Sequence, residues 1–237
     1  MSASDGKSEA TIDIYLEIGE KKVIAGALEW PGWCRAGRDE AGALQALLDA
    51  GPRYAKIIGR TAGGVRPPDS PDAFKIAERL EGTATTDFGA PDIAPKRDSQ
   101  PFDDDERKRS LALLEKIWRA FDQAVEGAEG KTLALGPRGG GRPLEKIARH
   151  VLESEQSYLR RLARSVKIAA DEKLPAAFEL LRDGVKEALA AAARGELPEH
   201  GPRGGALWLP RYYVRRSAWH LVDHIWEIED RSAAAEN

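Results

Sequence analysis

Apolar and polar positions along this chain follow two different periods, and the change between them divides it near residue 100. The first stretch, Thr11-Ile12-Asp13-Ile14-Tyr15-Leu16-Glu17-Ile18, alternates with a period of two and is rich in β-branched residues, which predicts a strand. Gly19-Glu20-Lys21-Lys22 predicts a turn, and residues 23–28 a second strand that completes a hairpin. The loop over 29–37 leads toward a short third strand. Asp39 is placed to cap a helix over 40–50, with Ala43, Leu44, Leu47 and Leu48 on one face. Gly51-Pro52 is expected to interrupt that helix, and residues 53–58 to resume it. After a run of breakers over 63–71, residues 73–80 and 84–88 are expected to form a further strand pair. Residues 90–101, rich in Pro and Asp, are the expected linker.

Beyond the linker the period becomes helical. Asp103-Asp104-Asp105-Glu106 opens a helix acid-first, as the helix dipole favours, and the helix is expected to run to about Val125. Its apolar stripe is Leu111, Leu114, Ile117, Trp118 and Phe121. Residues 126–142 form a glycine-rich connection. Pro143 suits a first helical turn, and the second helix is expected to reach about Ile168. A third helix is expected from Leu174 to Ala193, ending at Gly195, and a fourth from Pro210 to about Ser232. Four helices of this length are the inventory of a four-helix bundle. The fold class read from these patterns is α+β: residues 11–99 as a small β-β-β-α domain with extra strands, residues 100–237 as the bundle, and residues 1–10 as a disordered tail.

Composition narrows the function classes. Apolar residues at 42% and charged residues at 32% suit a soluble globular protein with a sizeable core. Residues 1–100 hold 13 basic and 16 acidic residues and residues 101–237 hold 23 of each, so no basic half marks a nucleic-acid binder. Cys34 is the only cysteine, which excludes an intrachain disulfide and a four-thiolate zinc site. The start of the chain has no apolar signal core and no run is long enough to span a bilayer, so no membrane is expected and the cytoplasm is the expected location.

The chemistry is concentrated in histidines. Of the four, His220 and His224 are spaced by four on the last helix, one turn apart on one side. His150 lies on the second helix. Two ligands from one helix and one from a neighbour can hold a first-row metal and leave a position open. Helical projection sets His220 and His224 roughly 70–110° from the apolar stripe of their helix. It sets His150 about 120° from the centre of its own. That speaks against buried core histidines and leaves a solvent-exposed surface as the alternative to a metal site. A metal also needs the second nitrogen of each imidazole held by a partner, which Glu227 or Asp223 could supply. Tyr213 could donate a proton, contact substrate or simply pack. Arg211, Arg215 and Arg216 could draw in an anionic substrate or form a solvated helix start. The segments around Gly139 and Gly204 lack the Gly-Lys-Ser/Thr ending of a phosphate loop and read as helix connections.

The stretch Trp219-His220-Leu221-Val222-Asp223-His224-Ile225-Trp226-Glu227-Ile228-Glu229-Asp230-Arg231, with His150 before it, resembles the DinB-like four-helix-bundle family over residues 101–237. Relatives of that family include thiol-dependent transferases and mycothiol-dependent maleylpyruvate isomerases. The resemblance implies that His150, His220 and His224 bind a divalent metal, zinc or nickel. It implies a low-molecular-weight thiol such as mycothiol or bacillithiol as co-substrate. The catalytic side chains stay unknown, with Tyr213 and Glu227 as candidates because they follow the line of His220 and His224 along the last helix. The stretch 26–44, with Trp30-Pro31-Gly32-Trp33 at its centre, is similar to a HicB-type β-β-β-α module. The two tryptophans are expected to pack on the helical domain or line a pocket between domains. The expected function is a divalent-metal-dependent enzyme that transfers a thiol to an electrophilic small-molecule substrate, or hydrolyses one with metal-activated water. The rival is a non-catalytic metal-binding or partner-binding protein with a HicB-like adaptor. No nucleic-acid partner is expected, and a homodimer is the assembly considered. Cys34 is expected to be structural rather than nucleophilic.

Overall fold

The structure is a computed structural model and describes residues 11–59, 64–135, 141–201 and 204–235. The expected tail at 1–10 lies outside the described residues, as do parts of both glycine-rich connections. The fold is α+β, and the chain forms two compact units, Met1–Pro95 and Lys96–Asn237.

The first unit is a four-stranded mixed sheet in the order β3-β2-β1-β4, with one long helix between β3 and β4 in sequence. Strands β1 (Ile12–Ile18), β2 (Val23–Ala27) and β3 (Cys34–Gly37) run antiparallel, as alternation and the turn at 19–22 dictate. Strand β4 (Phe74–Glu81) returns parallel to β1. Helix α1 (Glu40–Ile58) starts where Asp39 accepts the Gly42 N–H at 2.8 Å.

Two expectations fail here. Gly51-Pro52 does not break α1, which runs through it to Ile58. A Cβ at position 51 would stand 2.7 Å from the Pro67 Cβ and 3.0 Å from the Trp33 ring, so the glycine is there for close packing. Trp33 is fully buried under this turn, its indole N–H donating to the Leu47 carbonyl at 2.8 Å, its ring stacked on Tyr54 and edge-on to Phe74. Tertiary contacts thus hold a helix that local propensity would end. They also place Trp33 in its own unit's core rather than in a pocket between domains.

Residues 84–88, expected as a strand, form the short helix α2 (Ala84–Phe88). Thr83 and Thr86 make a capping box, and Gly89 closes the helix in the left-handed conformation at φ 107°. Glu17, buried on β1, anchors this corner by accepting the Thr86 hydroxyl and the N–H groups of Asp92 and Ile93. Among the described residues one extra strand, not two, therefore joins the β-β-β-α core. Cys34 is buried, as expected of a structural cysteine.

Among the described residues the second unit holds four long helices, α3 (Asp104–Ala128), α4 (Leu144–Arg160), α5 (Leu174–Ala193) and α6 (Pro210–Ala235). Helix α6 packs on α3 and α4, and α5 packs on α3 and α4. Leu114, Ile117, Trp118 and Phe121 of the expected α3 stripe are buried, and Phe121 meets Phe178 of α5 at 5.3 Å between ring centres. Helix α4 stops eight residues short of the expected Ile168. Ala163 turns left-handed at φ 56°, and Val166 folds against α5 where Gly184 leaves room. Residues 96–99, counted with the linker from sequence, are a 3-10 turn of this unit. Its Asp98 is buried and takes a two-pronged ion pair from Arg215 of α6 at 2.7 and 2.9 Å. Among the described residues no helix is long and apolar enough to cross a membrane.

Candidate metal centre

His150 comes from α4 and His220 and His224 from α6, where the packing of these two helices brings the three rings together. Ring centres lie 4.7 Å apart for His220 and His224, 5.1 Å for His150 and His224, and 5.5 Å for His150 and His220. One ligand nitrogen from each lies within 4.8 Å of the other two. Tetrahedral zinc with nitrogens at about 2.0–2.1 Å holds them about 3.3 Å apart, so the three rings would draw closer around an ion.

Burial differs from the expectation. His220 and His224 are 5% and 7% exposed, and only His150 is half-exposed. Projection on a single helix places a residue relative to its own stripe. It cannot see the neighbour that covers the polar edge, and here α4 lays Glu155 and Tyr158 over His220. Among the described residues His150 is thus the member of the trio that solvent reaches, with His220 and His224 behind it.

The remote nitrogens of the buried pair are both held. Glu227, one turn on along α6, sits 2.8 Å from His224 Nδ1, and its other oxygen accepts from Arg231 at 3.0 Å. Arg231 in turn donates to the Ala134 carbonyl at 2.8 Å, which ties the chain after α3 to this edge of α6. Gly141 passes so near that a Cβ there would stand 2.5 Å from the Arg231 guanidinium. Asp223, the other acid considered, is exposed. Glu155 of α4 sits 3.1 Å from His220 Nδ1 and accepts the Ser217 hydroxyl on its other oxygen. With Nδ1 engaged in both rings, Nε2 is the nitrogen each offers to a cation.

Sequence reasoning missed Glu155, although a signal was present. It interrupts the apolar stripe of α4 between Val151, Leu152 and Leu159, where an acid needs a partner.

Electrostatics suit metal ligation. Burial, with the charge of Arg142 next, lowers His150 to about 4. Burial, with His224 next, lowers His220 to about 3. Both rings are thus neutral ligands at ordinary pH. Burial raises Glu155 to about 8 against the opposing Ser217 hydrogen bond, in the protein without a cation. Glu227 is lowered, first by its hydrogen bond to His224.

Tyr213 is fully buried, and burial followed by the charge of Glu155 pushes its phenol well above the ordinary tyrosine value. Such a phenol stays protonated and away from solvent, which fits packing better than proton transfer. The three arginines are not a solvated helix start. Arg211 pairs with Glu106 at 2.8 Å, Arg215 with Asp98, and Arg216 lies over Trp219 at 4.7 Å and over Tyr158 at 5.7 Å. Trp208 and Tyr212 extend the aromatic wall from Tyr158.

Among known proteins the chain matches no family model, no curated protein and no solved structure.

Proposed function

We propose that the second unit is a divalent-metal-dependent enzyme of DinB-like type that joins a low-molecular-weight thiol to an electrophilic small molecule. The observation that carries the reading is the convergence of His150, His220 and His224 within 4.8 Å. The donor set fits the group: neutral imidazoles, two of them braced by the side chains of Glu155 and Glu227, suit zinc or nickel, and three protein ligands leave a coordination position open. Mycothiol and bacillithiol are the thiols proposed. The first unit is proposed as a HicB-like module, on its β-β-β-α order and the Pro31-Gly32 turn before β3.

A bound divalent cation would supply Lewis acidity that favours the thiolate form of a thiol at neutral pH. The chain's own side chains do the rest. His150, the least buried of the three, is the ligand that a small molecule would reach first. Glu227 and Arg231 hold His224 in one orientation. Tyr158 and Trp208 form an apolar face beside His220 on which a substrate can lie, and Arg216 above Tyr158 adds positive charge that favours an anionic group. The reaction class forms a sulfur–carbon bond while a π bond or a carbon–leaving-group bond of the electrophile breaks and takes the electron pair, and the thiol proton goes to that anion or to solvent.

The test begins with metal content after reconstitution with zinc and with nickel. The parent is expected to hold stoichiometric metal, and His150→Ala, His220→Ala and His224→Ala to lose it. No stoichiometric metal in the parent sinks the site. The visible bands of cobalt-substituted protein are expected to shift when thiol is added, and the thiol to be consumed with an electrophile. Metal without either response leaves a metal-binding protein that does not transfer thiols.

A further inference from the structure

The fold alone has no use for an acid in the middle of the α4 apolar stripe. Glu155 is 3% exposed, and a buried carboxylate is destabilising unless its lone pairs are engaged. Both of its oxygens meet α6. One accepts from Ser217 and the other lies 3.1 Å from His220 Nδ1. Ser217 and His220 are three apart on α6 and so share a face, and one carboxylate from the neighbouring helix spans both. We propose that Glu155 is the positioning residue of the metal centre. From α4 it accepts the His220 Nδ1–H on α6 and keeps that ring turned with Nε2 toward the nitrogens of His150 and His224. The proposal rests on the metal-binding reading above.

Three features make this hold stronger than the one on His224. The first is solvent exclusion: the His220 and Glu155 side chains are 7% and 4% exposed, so water cannot replace the acceptor. At His224, Glu227 is 28% exposed and already shared with Arg231, and water can substitute for it. The second is geometry. A half-turn of the His220 ring about its Cβ–Cγ bond would exchange Nδ1 for a carbon, lose the bond to Glu155 and present the wrong edge to the cation. The third is connection. Glu155 and His150 both belong to α4, so this helix supplies one ligand and also the acceptor that orients a ligand on α6. The two helices then cannot shift against each other without losing both.

The test compares zinc affinity, by chelator competition, in the parent, Glu155→Leu, Glu155→Gln and Glu227→Ala. Leucine fills the space without an acceptor, and its zinc affinity is expected to fall about 10–100-fold. Glutamine keeps a carbonyl acceptor for Nδ1–H and an amide donor for Ser217, and is expected to stay within about threefold of the parent. Glu227→Ala is expected to lose less than Glu155→Leu. A folded Glu155→Leu protein that binds zinc as tightly as the parent overturns the proposal, while the metal reading stands. A parent without zinc overturns the metal reading itself. Should the leucine variant fail to fold, the nitrogen by which His220 meets the cation in the parent decides. In cadmium-loaded protein with labelled histidine, nuclear magnetic resonance is expected to show coupling from cadmium to His220 Nε2, with a hydrogen-bonded proton on Nδ1. Coupling to Nδ1 overturns the proposal.

Discussion

Replacing Glu155 by glutamine should change how the stability of the metal-free second unit depends on pH. The folded protein holds the Glu155 proton up to about pH 8, against an ordinary carboxyl value of 4.5 in the unfolded chain. A pKa raised on folding means that the folded state binds the proton more tightly. Its stabilising contribution is therefore complete below the unfolded value and is lost as pH rises through the folded one. At 1.36 kcal/mol per unit, the loss between about pH 6 and about pH 9 is about 2–3 kcal/mol. Glutamine has the shape and hydrogen-bonding pattern of the protonated acid and does not titrate. His150 and His220 are lowered on folding and so have the opposite sign, losing stability as pH falls from 6.5 toward about 4 and about 3. They are present in both proteins and cancel in the difference. The assay is urea unfolding with chelator present, followed by tryptophan fluorescence. The advantage of Glu155→Gln over the parent is expected to grow by about 1–2 M in urea midpoint from the lower to the higher pH. Parallel stability profiles across that range would refute the reasoning, because Glu155 would then titrate alike in folded and unfolded chains.

Asp98→Ala leaves the buried Arg215 guanidinium without its carboxylate, and a loss of about 3–5 kcal/mol in the second unit is expected from denaturant melts. Gly51→Ala gains helix propensity but drives a Cβ to 2.7 Å from Pro67, so a net destabilisation of about 1–2 kcal/mol is expected by calorimetry. Cys34, buried on β3, is expected to react with a thiol reagent only after denaturant is added; rapid labelling of the native protein would contradict its placement. Arg231→Ala removes the link between Glu227 and the Ala134 carbonyl. Weaker zinc binding together with faster amide exchange at 133–135 is expected, and a change in neither would show the link to be idle.

Elements with a strong local signal could be read along the chain. The alternation of 11–18 and the turn after it produced the hairpin. Asp39 and Asp103 cap the helices that follow them, and Gly195 ends α5 in the left-handed conformation. Elements whose ends depend on neighbours could not. Helix α1 continues through Gly51-Pro52 because Trp33 and Pro67 pack against that turn. Helix α4 stops at Arg160 with no glycine or proline to announce it, because Val166 has a place against α5. The Thr83–Thr86 capping box was written in the sequence at 83–86, but the apolar and threonine content of 84–88 also suited a strand.

The candidate centre divides in the same way. By itself the sequence determined which residues can ligate: three histidines, two of them one turn apart, since helical spacing alone puts His220 and His224 side by side. It also placed Glu227 within reach of His224, because residues three apart on a helix touch. Only tertiary packing decided that His150 meets them, that two of the three rings are buried, and that Glu155 braces His220. Those contacts join residues 65 and more positions apart, from helices whose relative rotation no local pattern specifies. Burial, which lowers His150 and His220 and raises Glu155, likewise belongs to the packed helices and to no single one of them.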